Sequence, residues 1–249
     1  MTKYRKKPNP ALVLKWAVAI VLIVVIGVVA VALAAGLNPS DSEPLSPPQV
    51  AGIDVSSHQG TIDWVQVADS GVEFAMIRLG YRGYDTGTLH IDQRAVENLV
   101  GARAAGVKIG AYFFSQALTP EEARQEAQLA LSVLDGMKLD LPLAFDWEFV
   151  AESARTGNMT RQALTECVHA FCQTVEQAGY GPMIYFNREL SRTLLDMTQV
   201  GRYPIWFAQY TKELDFNSVV TMWQHSDQGR IPGIDENVDL NWYFGEFSE

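Results

Sequence analysis

The chain has 249 residues, 48% of them hydrophobic and 10% aromatic, enough to bury one sizeable core and carry an appendage. Its 29 acidic residues outnumber 19 basic ones, and five of the basic residues precede residue 40, so the remainder carries 14 against 29, a formal charge of −15. Such a surface excludes nucleic acid, which needs a basic footprint, and gives no electrostatic hold on anionic lipid or wall polymer.

The first feature along the chain is apolar. Trp16 to Ala35 carries no charge, and Lys3, Arg5, Lys6, Lys7 and Lys15 all lie on its N-terminal side. About 20 apolar residues span a bilayer core, whereas a cleaved secretory signal has an apolar region of only ~7–15. The pattern predicts a cytoplasmic basic segment over 1–15 and a transmembrane helix over 16–37, with the rest outside the cell membrane. Ala32-Leu33-Ala34 also offers a small-x-small cleavage site, which would make the protein secreted. Residues 38–49, rich in Pro, Ser and acids, read as an extended tether, and 50–249 as one domain.

Beyond the tether, strands and helices alternate. Strand candidates are Val50–Val55, Phe74–Gly80, Lys108–Ser115, Leu141–Glu148, Met183–Asn187, Ile205–Tyr210, Val219–His225 and Val238–Leu240. Helical spacing falls over Ile62–Ser70, Asp92–Ala105, Pro120–Leu134, Thr160–Ala178 and Glu189–Met197. Thr119 and Thr160 are N-cap residues, Pro120 suits the first helical position, and Gly106 and Gly179 stand where helices end. This order implies an α/β fold, a parallel (β/α) barrel of the TIM type, irregular and incomplete because the last strands have little helix between them. Cys167 and Cys172, the only cysteines, fall five residues apart on one helix. Their side chains then point ~140° apart and cannot bridge, so both read as small buried hydrophobes. No metal-ligand spacing occurs, and no cofactor is expected.

Asp146-Trp147-Glu148 ends an apolar run, and on a strand residues i and i+2 share a face, ~6.5 Å apart at Cα. Two carboxyls so crowded cannot both keep an ordinary pKa. Paired acids of this kind serve glycosidic cleavage, one protonating the leaving oxygen while another group stabilises the developing cation; the plain alternative is that they cap the following loop. Asp54 falls on an early strand and Asp239 on a late one, so four acids fall on strands or their ends.

With GIDVSSHQG, FAMIRLGYRG, GVKIGAYFFSQA, FDWE, MIYFN, IWFAQY, MWQHS and NVDLN in that order, the chain resembles the lysozymes of glycoside hydrolase family 25 from about Val50 to Tyr243. The resemblance implies an irregular (β/α) barrel with reduced last helices. It implies Glu148 as general acid and Asp146 beside it as nucleophile or as the group orienting the substrate's own 2-acetamido. Asp54 and Asp239 would be the other two pocket acids. Tyr112 and Tyr185 match family positions suited to stacking on sugars; Tyr81, Trp206, Gln224 and Arg78 are further substrate-binding candidates, with Arg78 expected to pair with a site acid. His225, where Tyr is usual in the family, bears on substrate preference.

The expected function is therefore an outward-facing, membrane-anchored N-acetylmuramidase acting as a monomer on the glycan strands of peptidoglycan. The alternatives are a catalytically silent wall-binding module, against which the four intact acids speak, and a glycosidase for another amino-sugar polymer.

Overall fold

The computed structural model of the chain describes residues 49–151, 154–245 and 247. The expected basic segment and membrane helix lie outside these residues, and among the described residues no helix is long and apolar enough to cross a membrane.

In chain order the elements begin with β1 (Val50–Val55), a 3-10 turn (Ser57–Gln59), α1 (Trp64–Asp69), β2 (Phe74–Arg82), β3 (Leu89–Ile91), α2 (Ala95–Ala104) and β4 (Lys108–Ser115). They continue through α3 (Pro120–Leu134), β5 (Leu143–Trp147), α4 (Arg161–Gln177) and β6 (Pro182–Asn187). The last are α5 (Arg188–Thr193), α6 (Met197–Val200), β7 (Ile205–Ala208), β8 (Met222–Gly229) and β9 (Val238–Tyr243).

The sheet runs β1-β9-β8-β7-β6-β5-β4-β2-β3, and β1 also pairs with β2. That last pairing closes an eight-stranded barrel, with β3 hung on the edge of β2. The ring of strands is thus complete, and what is incomplete is the coat of helices. The expectation of an all-parallel barrel is corrected as well: β9 runs antiparallel to both β8 and β1. Only residues 230–237 join β8 to β9. A parallel crossover needs a dozen residues or more, so so short a connection can make only a hairpin. β3, a three-residue strand in the β2–α2 connection, had no periodicity long enough to reveal it.

Alternation along the strands sorts side chains into two layers. Leu143, Phe145 and Trp147 of β5, Ile184 and Phe186 of β6 and Phe207 of β7 face outward and join the helices in one large core. Ala144, Met183, Tyr185 and Trp206 face inward, where Phe74, Met76 and Met222 fill the barrel below its mouth. Gly52 and Gly110 make that filling possible, because a Cβ at either would collide with the Phe74 ring or the Met76 sulfur. The helices start as their sequences require: Thr119 accepts from Glu122 N, Thr160 from Ala163 N, and Pro120 opens α3. Gly106 and Gly179 take positive φ (82° and 86°) just past α2 and α4. On α4, Cys167 and Cys172 are both fully buried and unbridged.

Candidate active site

Asp54, Asp146, Glu148 and Asp239 line one cavity of about 220 Å³ at the mouth of the barrel. Asp54 stands near the end of β1, Asp146 on β5, and Glu148 on the residue that follows β5. Asp239 reaches the same rim by another route. It is the second residue of β9, and because that strand runs the other way, its beginning lies beside the end of β1: Asp239 and Asp54 are direct partners in the β1–β9 ladder. A parallel barrel would bring all four acids to strand C-terminal ends, whereas Asp239 enters the pocket from the start of its strand.

Gln224 and Asn241 organise the acids. Gln224 Nε2 donates to Asp54 Oδ2 (2.9 Å) and to Asp239 Oδ2 (3.2 Å), and Asn241 Nδ2 donates to Asp54 Oδ2 (2.8 Å). The hydroxyls of Tyr185 (2.9 Å) and Tyr210 (3.0 Å) donate to Gln224 Oε1, leaving its NH2 group to face the acids. Burial, opposed by the bonds from Gln224 and Asn241, raises Asp54 to about 6. Burial and then the charge of Asp54 raise Asp239 to about 8, and the two carboxyls hydrogen-bond each other.

The Asp146–Glu148 pair behaves differently. Burial, then the charges of Glu148 and Asp54, holds Asp146 well above the ordinary range. Burial, then the charge of Asp239, raises Glu148 to about 6. The mutual repulsion of the pair therefore falls on Asp146, the more enclosed of the two. Asp146 Oδ1 is buried with no hydrogen-bond partner among the described residues. A buried polar atom left unpaired is costly, so its presence in a cavity marks a place where a ligand donor is wanted.

Tyr112, Tyr185 and Trp206 line the cavity, with Trp206 edge-on to both tyrosines (ring centroids 5.8 and 4.9 Å). Arg78 also lines it, but its ion partner is Asp92 (2.8 Å) and not one of the four acids. Asp92 is almost fully buried just before α2, where it also accepts from Ser57 N (3.1 Å) and Arg94 N (2.9 Å), so the β2–α2 connection holds it against Arg78. Tyr81 lies outside this cavity. It stacks on His90 (4.9 Å) and lines an adjoining groove, which shares His58, Arg78 and Phe114 with the acid pocket. His225 stacks on Trp242 (5.4 Å) and is not among the lining residues. Asn241 was missed as a site residue, although it stood in the NVDLN stretch, two residues after Asp239 and hence on the same strand face. Tyr210, an aromatic at the end of a strand candidate and so open to a sugar-stacking reading, lines the cavity with its hydroxyl on Gln224.

Residues 53–234 match the model of "Glycosyl hydrolases family 25". The chain belongs to this family. Among its relatives are the autolytic lysozyme of Clostridium acetobutylicum, 29% identical over 80% of this chain and 56% of that protein, and lysozyme M1 of Streptomyces globisporus, 27% identical over 86% and 74%. Uncharacterized protein YegX of Escherichia coli K12 is 31% identical over 80% and 71%. The modular autolysin LytC of Streptococcus pneumoniae, solved in complex with a synthetic peptidoglycan ligand, has the same fold (TM-score 0.69, 26% identity), covering 78% of this chain and 47% of that one. The chain thus spans about half the length of the clostridial lysozyme and of the pneumococcal autolysin. As a family 25 member it is a glycoside hydrolase of the lysozyme type, and the mouth of its barrel holds the paired carboxyls that such hydrolysis requires.

Proposed function

We propose that the protein is an N-acetylmuramidase that hydrolyses the β-1,4 bond between N-acetylmuramic acid and N-acetylglucosamine in peptidoglycan, held at the outer face of the cell membrane by residues 16–37. The observation that carries the reading is the contrast within one strand end: Glu148 keeps its proton up to about 6, and Asp146 offers an unpartnered oxygen beside it. Glu148 donates its proton to the glycosidic oxygen as the bond to the anomeric carbon breaks. Asp146 Oδ1 accepts the N–H of the 2-acetamido group, which turns the acetamido carbonyl oxygen onto that carbon. Water then opens the cyclic intermediate, returning its proton to Glu148, and the anomeric configuration is retained. Direct attack by Asp146 asks for an ionised carboxylate, which the burial of that side chain disfavours. Asp54, Asp239, Gln224 and Asn241 shape the floor of the pocket, and Tyr112, Tyr185 and Trp206 form its aromatic walls.

Mass spectrometry of purified wall after digestion tests the reaction. New reducing ends on muramic acid support it, whereas ends on glucosamine, or no cleavage, overturn it. The anchor rests on the apolar run and its basic flank. Membrane fractionation with external protease tests it, and a soluble exported form starting near Ala35 would show a cleaved signal instead.

A further inference from the structure

We infer that Gln116 is a positioning residue for Glu148, taking over the main-chain hydrogen bonding at the point where the β4–β5 ladder stops. The ladder's last pair is Ser115 with Trp147, so the carbonyl of Glu148 has no strand partner to meet. Gln116, completely buried just past β4, supplies one from its side chain: Nε2 donates to Glu148 O (2.8 Å) and to Ser115 O (2.9 Å). Oε1 accepts from the buried Thr156 hydroxyl (2.9 Å), so both amide donors and the acceptor are engaged. Arg155 donates to Gln116 O (3.0 Å) and pairs with Glu122 in the first turn of α3 (2.5 Å).

Glu148 and the Arg155-Thr156 pair are thereby both tied to the β4–α3 connection. Phe149 and Val150, next after Glu148, are exposed (49% and 40%) and pack too little to hold the acid's backbone themselves. The direction of the Glu148 side chain follows its own backbone, and an acid misplaced by about 1 Å can lose ~10²-fold in rate. No residue of this network touches the cavity, so its influence on chemistry runs through Glu148.

This inference rests on Glu148 being the general acid, and Glu148→Gln, assayed on the same peptidoglycan, tests that separately. Gln116→Met keeps the length of the side chain without its hydrogen bonds. In the full-length protein we expect kcat to fall about tenfold or more with KM within about twofold. Loosened backbone admits water to Glu148 and lowers its pKa, so the high-pH limb of activity moves to lower pH. The titratable and charged groups that line the cavity with Glu148, namely Asp54, His58, Arg78, Tyr112, Asp146, Tyr185, Tyr210 and Asp239, are unchanged in the variant. Gln116→Glu should regain activity relative to wild type as pH falls, because only its protonated carboxyl can donate to Glu148 O. If Gln116→Met does not fold, Thr156→Val, which frees the Gln116 amide, is read by the same criteria. Folded variants with wild-type kcat and an unmoved high-pH limb overturn the inference; if Glu148→Gln is inactive at the same time, the general-acid assignment stands without it.

Discussion

Trp206 Nε1 donates to Asn241 Oδ1 at 2.8 Å, and this bond decides which way round the Asn241 amide sits. With its oxygen engaged by the indole, the amide can present only its NH2 group to Asp54. Trp206 therefore acts on the acid pocket at one remove, as a wall residue that also orients a donor. Asn241→Leu tests the relationship. It leaves Trp206 Nε1 without its acceptor and takes one of two amide donors from Asp54, so urea denaturation should show a loss of about 1–3 kcal/mol, with activity reduced.

Replacing Glu148 by Gln preserves shape and hydrogen bonding while removing the transferable proton. Turnover should fall by ~10²–10⁴ with little change in affinity for peptidoglycan fragments, measured by calorimetry. In the wild type, activity should decline as pH rises through about 6, where Glu148 gives up its proton. A fully active variant would end the assignment.

The two roles for Asp146 separate on substrate chemistry. Glycan lacking the N-acetyl group should resist cleavage if the acetamido oxygen attacks the anomeric carbon, and should be cut if Asp146 does. Reducing-sugar assays on matched acetylated and de-acetylated strands make the distinction.

Stability should carry the mark of Asp239. Its folded pKa of about 8 lies above the ~3.9 of an unfolded chain, so the folded state binds the proton more tightly. That contribution is fully present below about pH 4 and is lost as pH rises through about 8. Asp239→Asn should therefore raise the Tm at pH 9 relative to wild type and leave the difference small at pH 4. Thermal melts in which the difference does not grow from pH 4 to pH 9 would contradict the raised pKa.

Cys167 and Cys172 should be silent to a thiol reagent in the native protein and react as two thiols once it is unfolded. Burial raises Cys167 to about 12 and Cys172 beyond that, so neither offers a thiolate near neutral pH. An intramolecular disulfide in the native protein, found by mass spectrometry, would contradict their positions on α4.

Where local pattern decides structure, the sequence was readable. The bounds of β1, β4 and α3 follow from apolar runs and from Thr119-Pro120, and the shared face of Asp146 and Glu148 follows from strand alternation. Strand direction is not a local property, so the reversal of β9 was hidden although Asp239 was not. The partner of Arg78 was equally hidden: whether it meets Asp92 or a pocket acid depends on how the β2–α2 connection folds back, and no periodicity encodes that. Gln224 was legible as a polar residue in an apolar run, but its service to two acids and two tyrosines is a product of barrel closure. Short β3 lacks the length that any pattern needs.

The three methionines under the pocket, Met76, Met183 and Met222, are each wholly shielded from solvent. Thioethers fill irregular space well, but adding an oxygen to any of them would place a polar group in a closed apolar interior. The proposed place of the protein outside the cytoplasm would bring it into contact with oxidants, and only barrel opening would expose these sulfur atoms. Sulfoxide at these three positions would therefore record how often a molecule has come apart, and damage of that kind would hinder its return to the working state.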